Sequence, residues 1–323
     1  MLRRLSSLIV ILGTVFSATS CATQFNERPD VQQFIHGMVV RDNFNEQQLN
    51  DIFSDVTPRP QVIKLMTKPA EKKPWSFYRK LFISDKRINN GLVFWRQNAR
   101  VLSDVERLYG VPASIVVAII GIETSYGDNK GNIKTLDSLA TLAFDYPPRA
   151  KFFQGELEQF LLLSRDLSAD PRQFYGSYAG AIGYPQFMPS SYRKYGIDFN
   201  KNNSADLIND PVDAIGSVGN YLNKKGWRPH QPIAVRAKVK GTAFETIGKN
   251  TYTLKKLATL GVKPVKNYPA DLKAGFLILE GVDGPEYWLV FRNFYVIKAY
   301  NSSSLYAMAV YQLSNILEQQ RGE

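Results

Sequence analysis

Ile115-Val116-Val117-Ala118-Ile119-Ile120-Gly121-Ile122-Glu123-Thr124-Ser125-Tyr126-Gly127 is an apolar run that ends on a single acid. Pro112 opens the segment, where its fixed φ suits a first helical turn. Ile115, Val116, Ile119, Ile120 and Ile122 cover most of a helical circumference, which predicts a helix at the centre of a helical domain. Its far end presents Glu123. A carboxyl at the end of a buried helix is poorly solvated, which disfavours the ionised form and lets it hold a proton near neutral pH, as a general acid must. On the helix alone Glu123 is equally well the first polar residue after a core element, so other segments have to decide.

Outward from this run the helical period continues. Val101, Leu102, Val105 and Leu108 predict a helix from Asn98 to Tyr109, with Gly110 as its cap. Further helices fit Thr135 to Phe144, Arg149 to Arg165 and Pro211 to Lys224, the last opened by Asp210 as a side-chain cap. After Gly226-Trp227 the texture turns to short β-rich pieces at Ile233–Val239, Gly275–Glu280, Tyr287–Val290 and Phe294–Lys298, with a helix-like Thr253–Leu260 among them. Leu305, Ala309, Leu313 and Leu317 then make Ser304–Glu318 an amphipathic helix that returns to the α body. The expected fold class is mainly α (α+β). An α body spans 34–228 and 299–323, and a small β-containing subdomain spans 229–298.

At the amino terminus Arg3 and Arg4 precede the apolar stretch Leu5 to Phe16, which leads into Ala18-Thr19-Ser20-Cys21. The stretch is short for a bilayer span and its small-residue exit reads as a secretory signal over 1–20, followed by a flexible tether over 21–33 and folding from near Phe34. Cys21 is the only cysteine of 323 residues, so no intramolecular disulfide can form. Its place after the small residues resembles a bacterial lipoprotein processing site, which makes Cys21 the expected lipidation site. Ala22 after it favours, by the same analogy, the outer membrane of a Gram-negative cell and the periplasm. The formal charge of +11 falls only by Arg3 and Arg4 on processing, so the mature chain stays basic. Cell-wall polymer and anionic lipid are the polyanions of that compartment, and no nucleic-acid motif accompanies the charge. His36 and His230 lie far apart without ligand spacing, which argues against zinc chemistry and against a histidine-assisted nucleophile.

The second informative stretch is Gly176-Ser177-Tyr178-Ala179-Gly180-Ala181-Ile182-Gly183-Tyr184-Pro185-Gln186-Phe187-Met188-Pro189-Ser190-Ser191-Tyr192. No Gly-Lys-Ser/Thr ending follows its glycines, so it is not a phosphate-binding loop. Small residues let backbone approach a ligand closely, and aromatic faces with polar edges suit sugar rings, so a carbohydrate groove fits. A packed structural loop with core aromatics fits too.

Taken together, Gly121-Ile122-Glu123-Thr124-Ser125-Tyr126-Gly127 and the 176–192 segment closely resemble the membrane-bound lytic murein transglycosylase B family. The resemblance runs from about Phe34 to the end, through Pro74-Trp75-Ser76-Phe77-Tyr78-Arg79, Leu139–Phe144, Asp210–Val218 and Asn293–Ile297. It implies a core similar to goose-type lysozyme and an enzyme that cleaves the β-1,4 bond between N-acetylmuramic acid and N-acetylglucosamine in peptidoglycan glycan strands, leaving 1,6-anhydromuramic acid and using no required cofactor. It implies Glu123 as acid and then base, and Ser177, Gln186, Phe187, Tyr78, Tyr221, Tyr300, Asn301 and Tyr306 as substrate-binding residues. Arg149 matches one of an arginine pair that holds a peptide or lactyl carboxylate, while Pro148 stands where the other would be.

The same resemblance places a calcium-binding, EF-hand-like loop at Asp198-Phe199-Asn200-Lys201-Asn202-Asn203-Ser204, with Asp198, Asn200, Asn202 and Asp213 as possible metal ligands. Asn203 in place of a turn glycine, Asn209 in place of a closing glutamate, and Lys201 all weaken such a site. Two alternatives stay open at this point. Asp128 could act as a second carboxylate in a lysozyme-like hydrolase, and a noncatalytic wall-binding lipoprotein would carry the same envelope signals.

Overall fold

The computed structural model describes residues 24–67 and 74–322, so the signal, Cys21 and the start of the tether lie outside the described residues. The chain forms two compact units that meet in sequence at Asp55 and Val56. In the first, helices α1 (Pro29–Asp42) and α2 (Glu46–Ser54) pack together through Val31, Ile35, Met38, Leu49, Ile52 and Phe53, all buried. Folding therefore does not wait until Phe34. Pro29 starts α1, and Phe25 and Val31, which a polar count over 21–33 passes over, are buried.

The second unit holds α3 (Pro60–Met66), α4 (Trp75–Phe82), α5 (Asp85–Gln97), α6 (Ala99–Tyr109), α7 (Ala113–Thr124), strand β1 (Ile133–Lys134), α8 (Thr135–Asp145), α9 (Ala150–Asp166), β2 (Tyr175–Gly176), α10 (Pro189–Tyr195) and α11 (Pro211–Lys224). There follow β3 (Ala234–Val239), β4 (Tyr252–Thr253), α12 (Leu254–Thr259), β5 (Val262–Pro264), β6 (Lys273–Gly281), β7 (Gly284–Val290), α13 (Arg292–Lys298) and α14 (Ser304–Arg321). The architecture is mainly helical, as the apolar periodicity indicates. α7 is its axis: every residue from Ala113 to Ile122 is buried, with α5, α6, α11 and α14 packed around it. α14 closes the body with Ala307, Met308, Ala309, Val310, Leu313 and Leu317, none of which reaches solvent. Arg59 and the buried Asp137 form a two-pronged ion pair, 3.0 and 2.9 Å to one carboxylate oxygen, that ties the start of α3 to α8.

The later strands form one antiparallel sheet in the order β4-β6-β7-β3-β5 over a small core of Val235, Leu254, Leu257, Val262, Ala274, Leu289 and Phe291. The expected strand at Phe294–Lys298 is instead α13. Its aromatic and β-branched composition reads as β, but the buried positions Asn293, Phe294, Val296 and Ile297 fall on a helical face that packs against α14. Among the described residues no single helix is long and apolar enough to cross a membrane.

Candidate active site

α7 stops sharply after the acid. Ser125 and Tyr126 adopt left-handed backbone angles (φ 51° and 67°), so the chain doubles back and folds the Tyr126 ring against its own helix. Only glycine fits at position 121, because a Cβ there would lie 2.5 Å from the Tyr126 ring. The Tyr126 hydroxyl donates to the Arg87 carbonyl at 2.9 Å, and the Arg87 guanidinium donates to the Gly121 carbonyl at 3.0 Å and to Ser125 Oγ at 3.3 Å. Burial lowers the Arg87 pKa and raises that of Tyr126, and the pair braces the helix end that carries Glu123.

The two glycine-containing motifs meet here. The Thr124 hydroxyl lies 3.1 Å from the Tyr184 carbonyl, Gln186 Nε2 donates to the Lys130 carbonyl at 3.0 Å, and Gly127, at φ 99°, leaves the room that the Tyr184 ring occupies. Gln186 itself takes a left-handed φ of 47°, steadied by a second bond from its amide to the Gly183 carbonyl at 2.9 Å. Ser177 is half-buried, its Oγ accepting the Ala181 N–H at 3.0 Å.

An aromatic wall stands beside the acid. The Tyr306 hydroxyl, on α14, donates to Glu123 Oε1 at 2.7 Å. Tyr300 stacks on Tyr306 with centroids 6.3 Å apart and planes 12° apart; Tyr221 meets Tyr300 edge-on at 4.9 Å, and Phe187 lies 5.5 and 5.6 Å from the two. Backbone carbonyls hold the phenols, Ala299 taking the hydrogen bond from Tyr221 and Pro185 that from Tyr300. Tyr78 stacks against Trp75 at 6.4 Å and is close enough to Tyr306 to contribute to the rise in its pKa.

Glu123 keeps part of its surface open, as a group that meets substrate must, while the protein packed about its carboxyl desolvates the charged form. Desolvation outweighs the Tyr306 hydrogen bond, which favours ionisation, and the pKa is pushed up to about 7. Tyr300 and Tyr306 are raised well above the usual phenol range, first by burial and then by the nearby acid, so both stay protonated donors.

The model of the family described as Transglycosylase SLT domain matches residues 26–315, nearly all of the described chain. The chain belongs to that family. This SLT-family chain is 43% identical over 299 residues to membrane-bound lytic murein transglycosylase B of Escherichia coli (strain K12), covering 90% of this chain and 82% of the relative. Its fold superposes with a TM-score of 0.87 on the Escherichia coli lytic transglycosylase Slt35 in complex with calcium, at 43% identity over 93% of this chain and 96% of that one. Against SltB3 of Pseudomonas aeruginosa in complex with NAG-anhNAM-pentapeptide the TM-score is 0.82, at 29% identity, covering 92% and 80% of the two chains.

Not every residue singled out from sequence joins the SLT-family cluster around Glu123. Asn301 is exposed in the loop before α14, where its Oδ1 accepts the Ser303 N–H at 3.1 Å. Arg149 starts α9, its guanidinium 4.2 and 5.1 Å from the centroids of Phe152 and Phe153, and among the described residues no hydrogen bond or ring contact joins it to the wall. Asp128 is exposed beyond the turn, and its charge acts on Tyr184. Arg87 and Tyr126 are the supports that sequence reasoning passed over. Tyr126 stands inside the quoted motif, but only the left-handed turn reveals which way it points.

A calcium cage needs about six to eight oxygens, and the side chains expected to supply them here also hold the loop's own backbone. Each carboxylate oxygen of Asp198 accepts one N–H, from Asn202 and Asn203 (3.0 and 2.7 Å), and Asn200 and Asn202 accept from Asn202 and Ser204. Asp213 is buried, its carboxylate accepting from the N–H groups of Phe199, Asn200 and Asp206, and desolvation raises its pKa. Among the described residues no group of three acidic, histidine or cysteine side chains is arranged to hold a metal ion.

Proposed function

We propose that this chain is a lytic transglycosylase that cleaves the β-1,4 bond between N-acetylmuramic acid and N-acetylglucosamine in peptidoglycan without adding water. Its family and its murein-acting relatives support the substrate class, and the observation that carries the chemistry is Glu123 itself, a desolvated acid whose pKa is pushed up to about 7 and which, among the described residues, takes its side-chain hydrogen bond from Tyr306.

Protonated Glu123 donates its proton to the glycosidic oxygen, and the N-acetylglucosamine end leaves with that proton as its new hydroxyl. The Tyr306 hydrogen bond steadies the carboxylate that remains. Glu123 then takes the proton of the muramyl C6 hydroxyl as that oxygen attacks C1, which closes the 1,6-anhydro ring and restores the acid. Hydrolytic glycosidases place a second carboxylate to activate water or form a covalent intermediate; a substrate that supplies its own nucleophile removes that need. The rings of Phe187, Tyr221, Tyr300 and Tyr306 line the sugar path and exclude water from the reacting carbon. Ser177, Gln186 and Tyr78 contact the sugars, with Ser177 facing the reacting N-acetyl group. The preferred strands carry peptide stems, as does the fragment in the SltB3 complex.

The chain works at a membrane of the periplasm, with Cys21 as its lipid-bearing residue and the outer membrane as its place. The relative named membrane-bound supports attachment, and fractionation of a Cys21→Ala variant tests it, release into the soluble fraction being expected. For the reaction, mass spectrometry of digested peptidoglycan is decisive. Anhydromuramyl ends are expected; reducing ends would make the chain a hydrolase, and no release at all a wall-binding protein.

A further inference from the structure

Arg87 stands in the first turn of α5, where the Ser84 hydroxyl oxygen accepts its backbone N–H at 3.4 Å. Its guanidinium reaches the ends of two other helices. Nη1 donates to the Leu81 carbonyl at 2.7 Å, in the last turn of α4. Nε and Nη2 donate to the Gly121 carbonyl and to Ser125 Oγ, at 3.0 and 3.3 Å, at the end of α7. Those two partners flank Glu123 on either side in sequence. The guanidinium carbon also lies 5.4 Å from the Phe82 ring centroid, and Phe82 in turn packs on Tyr78 at 4.6 Å.

Removing a cation from water costs free energy unless polar partners take the place of the solvent. Arg87 is half-buried, and its partners are two carbonyls and a hydroxyl rather than a carboxylate. The carboxyl ends of α4 and α7 both carry the negative end of a helix dipole, so one positive charge between them favours both. The planar guanidinium fork can serve the two ends at once in a fixed geometry, which a lysine ammonium on its flexible stem cannot.

We infer that Arg87 is a positioning residue for the reaction, a clamp that fixes the acid-bearing end of α7 against α4, the helix that carries Tyr78. Through Gly121 and Ser125 it holds the backbone on both sides of Glu123, and through Leu81 it holds α4, so the acid and Tyr78 keep one spacing. The inference rests on Glu123 as the acid of the proposed reaction and adds the residue that aims it. A misplacement of about 1 Å at a reacting group costs on the order of 10²-fold in rate. Tyr306 and Tyr300 are the titratable groups facing Glu123, and both stay protonated. Tyr126 faces Arg87, and exposed Lys86 and Asp128 line with it a cavity of about 190 Å³ on its outer side.

The test uses the full chain and peptidoglycan glycan. R87A should lose about tenfold or more in kcat while KM changes far less, because carbonyls of other segments hold Tyr221 and Tyr300. Once loosened, the Glu123 carboxyl meets water more freely, so the alkaline limb of the pH–rate profile should move downward. Guanidinium ion at millimolar concentration should restore part of the lost kcat in R87A by entering through the outer cavity, and ammonium at the same concentration should not. R87K keeps the charge without the fork and should resemble R87A; it carries the test if R87A does not fold. R59A, which breaks the ion pair with Asp137, controls for lost stability and should melt lower with the kcat and limb of the wild type. Wild-type kcat with an unmoved limb in R87A, or in R87K, would overturn the inference whatever the melting temperature, and would leave Arg87 a structural tie. Failure of the transglycosylase reading shows separately, as reducing ends in a wild-type digest.

Discussion

Tyr306 donates its hydroxyl proton to Glu123 Oε1 across 2.7 Å, joining the last helix of the chain to the end of its central one. The bond opposes the desolvation that raises the acid, and the balance of the two places Glu123 where it can both give and take a proton near pH 7.

Replacing the acid tests the centre of the mechanism. Glu123→Gln keeps the shape and removes the transferable proton, so turnover should fall by about 10²- to 10⁴-fold or more while circular dichroism stays that of the wild type. Release of anhydromuropeptides measures it, and wild-type release would remove Glu123 from its role.

The same substitution should alter stability with pH. The folded pKa of about 7 lies above the unfolded value, so between about pH 4.5 and 7 the folded state holds more protons and loses stability as pH rises. At pH 8 Glu123→Gln should be more stable than the wild type by about 1–2 kcal/mol, less than the full shift would give because the side chain is partly open. Near pH 4.5 the gap should close. Thermal melts across that range check it, and a pH-independent difference would contradict the desolvation account.

Tyr306→Phe removes the hydrogen bond that favours the ionised acid. The Glu123 pKa should rise further, by up to about one unit, and the alkaline limb of the pH–rate profile should move upward with it. The rate on the plateau should drop about tenfold as the carboxyl loses its orientation. A limb that moved downward would mean that Tyr306 acts otherwise.

Gly121→Ala introduces a methyl 2.5 Å from the Tyr126 ring, within a turn fixed by Arg87. Overpacking of this kind costs about 1–3 kcal/mol. A lowered melting temperature is the expected outcome, and wild-type stability would show that Tyr126 can swing away freely.

The loop at 198–206 is held by its own side chains, so chelator should leave the melting temperature unchanged, whereas Asp213→Ala strands the backbone N–H groups of Phe199, Asn200 and Asp206 and should cost about 1–3 kcal/mol. Differential scanning calorimetry with and without EDTA decides between this and a structural calcium ion.

Much of the helical body was legible because apolar spacing is a local signal: the limits of α11, with Asp210 capping through the Val212 N–H, and the Gly110 cap of α6 all follow from neighbouring residues. Phe294–Lys298 was not legible, since its composition suits a strand and only the packing of α13 against α14 makes it helical. The site divides in the same way. Glu123, Ser177 and Gln186 stand in motifs that can be read along the chain, while the bond from Tyr306 and the bracing by Arg87 are contacts between distant segments that no local pattern encodes. Arg149 and Asn301 carry a family pattern, and their immediate neighbours here, a pair of phenylalanine rings and a turn backbone, are what that pattern alone does not announce.

The partners in the central hydrogen bond are 183 positions apart in sequence. A chain that is still being synthesised or exported carries its acid long before α14 exists to hold it, and the aromatic enclosure lacks both Tyr300 and Tyr306 until then. The geometry at Glu123 is therefore complete only once α14 has been made and has packed against α7.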